Sequence, residues 1–182
     1  MSKTLSAAAA FALLASASFA QTAPEAPSRV TNGQTFGAWT VTCEAVAVNE
    51  TACVLNQNLL RSADNVFLAQ MMAFWSADGS KRYLVARVPL GVYLPSGFAI
   101  RAETSEDIVP FDWQACSPTL CEALVELDDT LLTTLTAPDT TIVGSYRPNL
   151  LTEPVIFRFG MTGAEAGLAA LKPAPVDAAA EK

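Results

Sequence analysis

From Phe36 onward the chain is cut into short apolar runs separated by turn residues. The runs are Phe36–Cys43, Cys53–Leu60, Val66–Trp75, Tyr83–Val88, Phe98–Glu103, Ile108–Trp113, Glu122–Leu127, Thr140–Tyr146 and Val155–Phe159. Asp64-Asn65 before one of them and the Ser76 to Ser80 stretch after it are good turn chemistry. In the last run Val155, Phe157 and Phe159 alternate with Ile156 and Arg158, the two-residue period of a sheet with one wetter face. An α/β fold would need helices between the strands, so this pattern predicts an all-β, antiparallel β-sandwich. One or two short helices are expected near the C-terminus. Asp128 and Asp129 precede TLLTTL, where an aspartate caps the first turn and suits the helix dipole. Thr162-Gly163-Ala164-Glu165 reads as a capping box leading into AGLAALK, which Pro173 stops.

Ahead of these runs, Met1 to Ala20 reads as a secretory signal. Lys3 is the positive end, Leu5 to Ala15 the apolar stretch, and Ser18-Phe19-Ala20 a small-x-small cleavage site. The apolar stretch is shorter than the roughly 20 residues of a membrane-spanning helix, and no later segment is apolar enough to span. Residues 21–34, rich in Pro, Ala and polar side chains near their start, are expected to be a flexible lead-in. The domain proper is expected over 35–172, with a disordered tail over 173–182.

Export to an oxidising compartment agrees with the cysteines. Cys43, Cys53, Cys116 and Cys121 are an even set that allows three connectivities. Proximity favours Cys43–Cys53 and Cys116–Cys121. On the chain-entropy model, loops of these lengths contribute roughly 2.8 and 2.2 kcal/mol. Neither interval is a CxxC, which makes structural staples the better reading than metal or redox chemistry.

Function is constrained chiefly by what the composition lacks. The chain has no histidine, which removes Ser-His-Asp and Cys-His pairs, HExxH zinc sites and His-ligated haem or copper. Lys and Arg number 11 against 18 Asp and Glu, a formal charge of −7, so there is no electrostatic footprint for nucleic acid. Carboxylates gather at Glu103, Glu106, Asp107 and Asp112, and again at Glu122, Glu126, Asp128 and Asp129. A glycosidase pair or a calcium site is the functional reading of these, and a solvated acidic rim the favoured one. No GxSxG, Walker or Rossmann spacing is present. A Ser-Lys dyad would have only Lys81, Lys172 and Lys182 of the mature chain to draw on. Trp39, Trp75 and Trp113 read as core or rim aromatics before a sugar platform. An outer-membrane barrel is disfavoured by the helix and tail at the C-terminus.

Several segments together resemble the invasion-associated locus B family of secreted bacterial proteins. They are FGAWTVTCE at Phe36–Glu44, the cysteine before VLNQ at Cys53–Gln57, and VPLGVYLPSGFAIR at Val88–Arg101. CSPTLCEALVELDDTLLTTL at Cys116–Leu135 and VIFRFGMTGAEAGLAALK at Val155–Lys172 complete the ordered set. The resemblance implies an immunoglobulin-like β-sandwich, export to the periplasm or medium of a Gram-negative bacterium and, in pathogenic members, a part in entering host cells. It implies no catalytic residues. With no catalytic, cofactor or metal site expected, the first functional reading is a non-catalytic module that binds a protein partner in the envelope or on a host. An envelope-assembly or chaperone-like factor using exposed strand edges is the second reading, and a carboxylate-based hydrolase the third.

The most unusual stretch is Pro89 to Gly97. Pro89 forces an extended Val88 and cannot donate to a ladder, and Leu94-Pro95-Ser96-Gly97 fits a type I turn. Leu90, Val92, Tyr93 and Leu94 between these breaks are too apolar for a free loop. They either plug the end of the sandwich, the reading adopted, or form a partner-binding patch anchored by Tyr93. A buried ring would make Tyr93→Ala cost about 3 kcal/mol or more.

Overall fold

The computed structural model describes residues 30–48 and 50–173. The expected signal segment and nearly all of the expected tail lie outside these residues. Ten strands form: β1 (Thr35–Phe36), β2 (Trp39–Ala47), β3 (Glu50–Leu60), β4 (Phe67–Trp75), β5 (Arg82–Pro89), β6 (Phe98–Ala102), β7 (Val109–Cys116), β8 (Leu120–Glu126), β9 (Thr141–Tyr146) and β10 (Val155–Gly160). Each expected run overlaps at least one of them. The first run is broken in two, because Gly37 turns the chain at φ +59° between β1 and β2.

Every pairing is antiparallel, in the order β1-β2-β3-β4-β5-β8-β7-β6-β9-β10. The two layers of the expected sandwich are therefore halves of one continuous sheet. β7 makes the link: Val109–Phe111 pair with β6, whereas Asp112–Cys116 pair with β8. One core fills the space between the halves. Trp39, Val41, Leu55, Met71 and Leu84 meet Phe98, Ile100, Ile142, Phe157 and Phe159 there. Full burial of an aliphatic or Phe side chain of this kind contributes about 1.5–3 kcal/mol relative to exposure. The Tyr146 hydroxyl of β9 donates to the Leu68 carbonyl of β4 at 3.1 Å, tying the halves together, and burial pushes its phenol pKa up.

The disulfides join residues that stand directly opposite each other on neighbouring strands. Cys43–Cys53 staples β2 to β3 with an S–S distance of 2.10 Å, and Cys116–Cys121 staples β7 to β8 at 1.99 Å.

Helix α1 (Asp129–Leu135) is capped as its sequence predicts, with the Asp128 carboxylate accepting the Leu131 amide at 2.7 Å. Helix α2 (Ala164–Leu171) corrects the capping-box expectation. Its N-cap is Gly163, in the left-handed region at φ +89°, and no side chain caps it. Packing explains the difference. A Cβ on Gly163 would lie 2.2 Å from the Phe36 carbonyl oxygen, so the turn before α2 is moulded onto the β1–β2 turn instead of closing on Thr162. Through this contact α2 is laid against β1, β3 and β4 on the core side of the sheet.

A second correction concerns the lead-in expected over 21–34. From Val30 the chain is part of the domain: Val30 is in the core, and Gly33 and Gln34 exchange backbone hydrogen bonds with Val41 at 2.8 Å. One apolar side chain and a pair of ladder bonds outweigh the local turn composition.

Candidate functional site

The core uses one face of the long half-sheet, and the opposite face is also apolar. In a half-buried antiparallel strand the outward residues should be polar. Strand β4 (FLAQMMAFW) breaks that rule: Ala69, Met71 and Ala73 point into the core, while Met72 and Phe74 alternate with them on the other side. β5 does the same with Tyr83 and Val85, and β8 with Leu124.

The register stacks these outward residues into rows running across the strands. Asn56 stands opposite Met72, Met72 opposite Val85, and Val85 opposite Leu124. On one side of that row, Phe74 faces Tyr83 and Tyr83 faces Glu126. On the other side runs a polar row: Asn58 opposite Gln70, Gln70 opposite Arg87, and Arg87 opposite Glu122. These outward residues line a groove of about 510 Å³, within the range of built ligand sites. Its floor is well shielded, since Met72 is 9% and Val85 5% exposed. Neither belongs to the core cluster between the two halves, so they form a separate apolar set.

Polar groups border the apolar floor. The Arg87 guanidinium donates through Nε to Glu122 Oε1 at 2.7 Å, and the Asn56 amide donates to the Thr40 carbonyl and the Thr42 hydroxyl. Gln70, Gln114 and Glu44 also line the groove. Such a surface offers apolar contact and hydrogen bonds side by side. Sequence reasoning did not find it, although the signal was legible: Val66–Trp75 is too apolar for a strand with one wet face.

The stretch from Pro89 to Gly97 divides between the two readings given for it. It is tied down by its backbone, with the Leu90 amide on the Thr119 carbonyl at 2.9 Å and the Tyr93 amide on the Arg147 carbonyl at 2.8 Å. Residues Leu94–Ser96 make a 3₁₀ turn, closed by the Gly97 amide on the Leu94 carbonyl. Val92 packs on the core as a plug would. Leu90 and Leu94, however, are 53% and 44% exposed. Tyr93 is only partly buried. The figure of about 3 kcal/mol for truncating it presupposes an enclosed ring, so it becomes an upper bound.

Of the eight clustered acidic residues, four are held in ion pairs. Glu103 pairs with Arg158 at 2.8 Å, Glu122 with Arg87 and Glu126 with Lys81 at 2.7 Å, and Asp129 with Arg82. Among the described residues no three Asp, Glu, Cys or His side chains are grouped to hold a metal. All three indoles donate to backbone carbonyls: Trp39 to Gly160, Trp75 to Leu168 and Trp113 to Leu94. The Trp75 ring also carries the Arg82 guanidinium and the Lys172 ammonium about 5 Å from its centroid. No helix among the described residues is long and apolar enough to cross a membrane.

These features define a disulfide-stapled, all-antiparallel β domain with a second apolar surface turned outward. A family model for the invasion associated locus B (IalB) protein matches residues 39–172, and the chain belongs to that family. The fold is shared with the crystal structure of invasion associated protein B from Bartonella henselae. That chain is 16% identical with a TM-score of 0.60, the match covering 76% of this chain and 92% of that one. Among curated proteins no sequence matches.

Proposed function

We propose that this chain is an exported, non-catalytic β protein that binds a protein partner in the bacterial envelope or on a host cell, and that the outer groove is where it binds. The observation behind this reading is the second apolar set, Met72, Phe74, Val85 and Leu124, which lies on the face of the sheet away from the core. Contiguous apolar surface with a polar border is characteristic of interaction sites. Export is supported by the signal-like segment and by two disulfides, which persist in oxidising compartments.

Two other surfaces are rivals. One is the Leu90 and Leu94 face of the loop. The other is β10, which pairs only with β9 among the described residues and leaves an edge for strand addition, as an assembly factor would need. Photo-crosslinking in living cells separates the three, with a photoreactive amino acid replacing Gln70 in the groove, Leu90 in the loop or Ile156 on β10. The expected result is one identifiable protein captured from position 70 and from neither of the others. Capture only from position 90 moves the site to the loop, and capture only from position 156 favours the assembly reading. Capture from none of the three refutes partner binding through these faces.

A further inference from the structure

Resting on the reading of the groove as a protein-binding site, we infer that its occupant is an extended peptide segment of the partner in which apolar side chains alternate with basic ones. Three properties of the groove lead there.

The first is its mixed lining. The apolar floor alone would suit an acyl chain equally well. But Gln70 places a side-chain amide along the groove, Asn56 keeps its carbonyl oxygen to offer while its nitrogen is held by Thr40 and Thr42, Gln114 has given one N–H to the Asp112 carbonyl, and Arg87 lies among them. Laying hydrocarbon over these groups would remove their water and return no hydrogen bond, a cost paid for each group. A peptide main chain carries one donor and one acceptor per residue, and amide side chains can match both. Because this surface is the face of a sheet and not its edge, ladder bonds are not on offer, and these side chains are the groups able to hold a backbone.

The second is reach. From β2 to β8 the groove crosses four strand spacings, about 19 Å at the usual separation. About six residues of extended chain cover that distance. Successive side chains of such a chain point alternately into the floor and away from it, and only long ones among the latter can bend back to the border.

The third is charge. Glu44 and Glu122 line the groove with Arg87 as its one base, and Arg87 is paired with Glu122, which leaves the Glu44 charge in excess. The whole chain carries −7, so a second copy would bring like charge to the same place. Basic side chains at the outward positions of the peptide complete the complementarity that steers and orients a partner.

The test uses the purified exported protein and three fluorescent probes: an octapeptide of alternating valine and lysine, its counterpart of alternating valine and glutamate, and cis-parinaric acid. At low ionic strength the valine–lysine peptide should raise its anisotropy saturably, with the valine–glutamate peptide about tenfold weaker or worse. Phe74→Lys should abolish binding. Phe74 lies outside the core cluster, so the melting curve should stay close to the parent's; Val54→Lys on β3 serves in its place if it does not. Equal binding of both peptides overturns the inference, as does peptide binding that survives the lysine substitutions. Saturable parinarate binding without peptide binding overturns it in favour of an amphiphile. If no peptide binds while crosslinking from position 70 still captures a protein, the peptide inference falls and the groove remains the protein-binding site.

Discussion

Gly163 shows how much a single residue carries when backbones meet. Its φ of +89° is a left-handed conformation that side chains resist, and its Cα lies against the Phe36 carbonyl. Gly37 approaches from the other side, where a Cβ would come within 2.4 Å of the Thr162 carbonyl oxygen. Neither clash involves a side chain able to move aside. Gly163→Ala should therefore destabilise the domain by about 2 kcal/mol or more, read as a lowered denaturant midpoint with an unchanged slope. An unchanged midpoint would mean that the β1–β2 and β10–α2 turns separate at little cost. From the sequence, Gly163 read as the second position of a capping box. Local motif chemistry was legible there, and the backbone approach from 126 residues upstream was not.

At the scale of the element, the β4–β5 hairpin is governed by its turn. Asp78 accepts from the Ser76 hydroxyl at 2.5 Å, from the Ser80 amide at 3.0 Å and from the Ser80 hydroxyl at 2.8 Å. These bonds, the Ser76 hydroxyl foremost, favour the carboxylate and lower its pKa from 3.8 to about 2. A carboxyl depressed on folding adds stability above its unfolded pKa. That stability is lost as pH falls through the interval between the two values, here from about 4 to about 2. An NMR titration of the Asp78 carboxyl should find its midpoint near 2, and Ser76→Ala should raise it toward the ordinary value. A midpoint that ignores the Ser76 substitution would show that this hydroxyl does not hold the turn. The Ser76 to Ser80 turn was visible in the residues themselves, because Asp, Ser and Gly build such turns from neighbours in sequence.

For the whole molecule, stability rests on one core between two halves of a sheet, with a staple within each of two neighbouring strand pairs. Both disulfides close short loops, so the chain-entropy account assigns them roughly 2.8 and 2.2 kcal/mol. Net stabilities of domains are about 5–15 kcal/mol, which makes these contributions substantial. Reduction of the purified protein should lower its melting temperature markedly while far-UV circular dichroism below the new midpoint stays β-dominated. An unchanged melt would show that the core alone sets stability.

Composition and periodicity determined the strand-rich class, the two C-terminal helices and the cap at Asp128, because each depends on residues within a few positions of one another. The ordered cysteine-bearing segments further pointed to the family. Tertiary structure decided the rest. Whether residues 30–34 belong to a lead-in or to the domain depends on Val41, which exchanges backbone bonds with Gly33 and Gln34, and whether Thr162 caps α2 depends on Phe36. The outer groove depends on the register of several strands at once: Asn56, Met72, Val85 and Leu124 are scattered over 69 positions of sequence and become one row only when β3, β4, β5 and β8 pair. Side-chain alternation along a strand is local and can be read from the chain. The neighbour across a strand is set by pairing over long loops, and only the folded sheet reveals it.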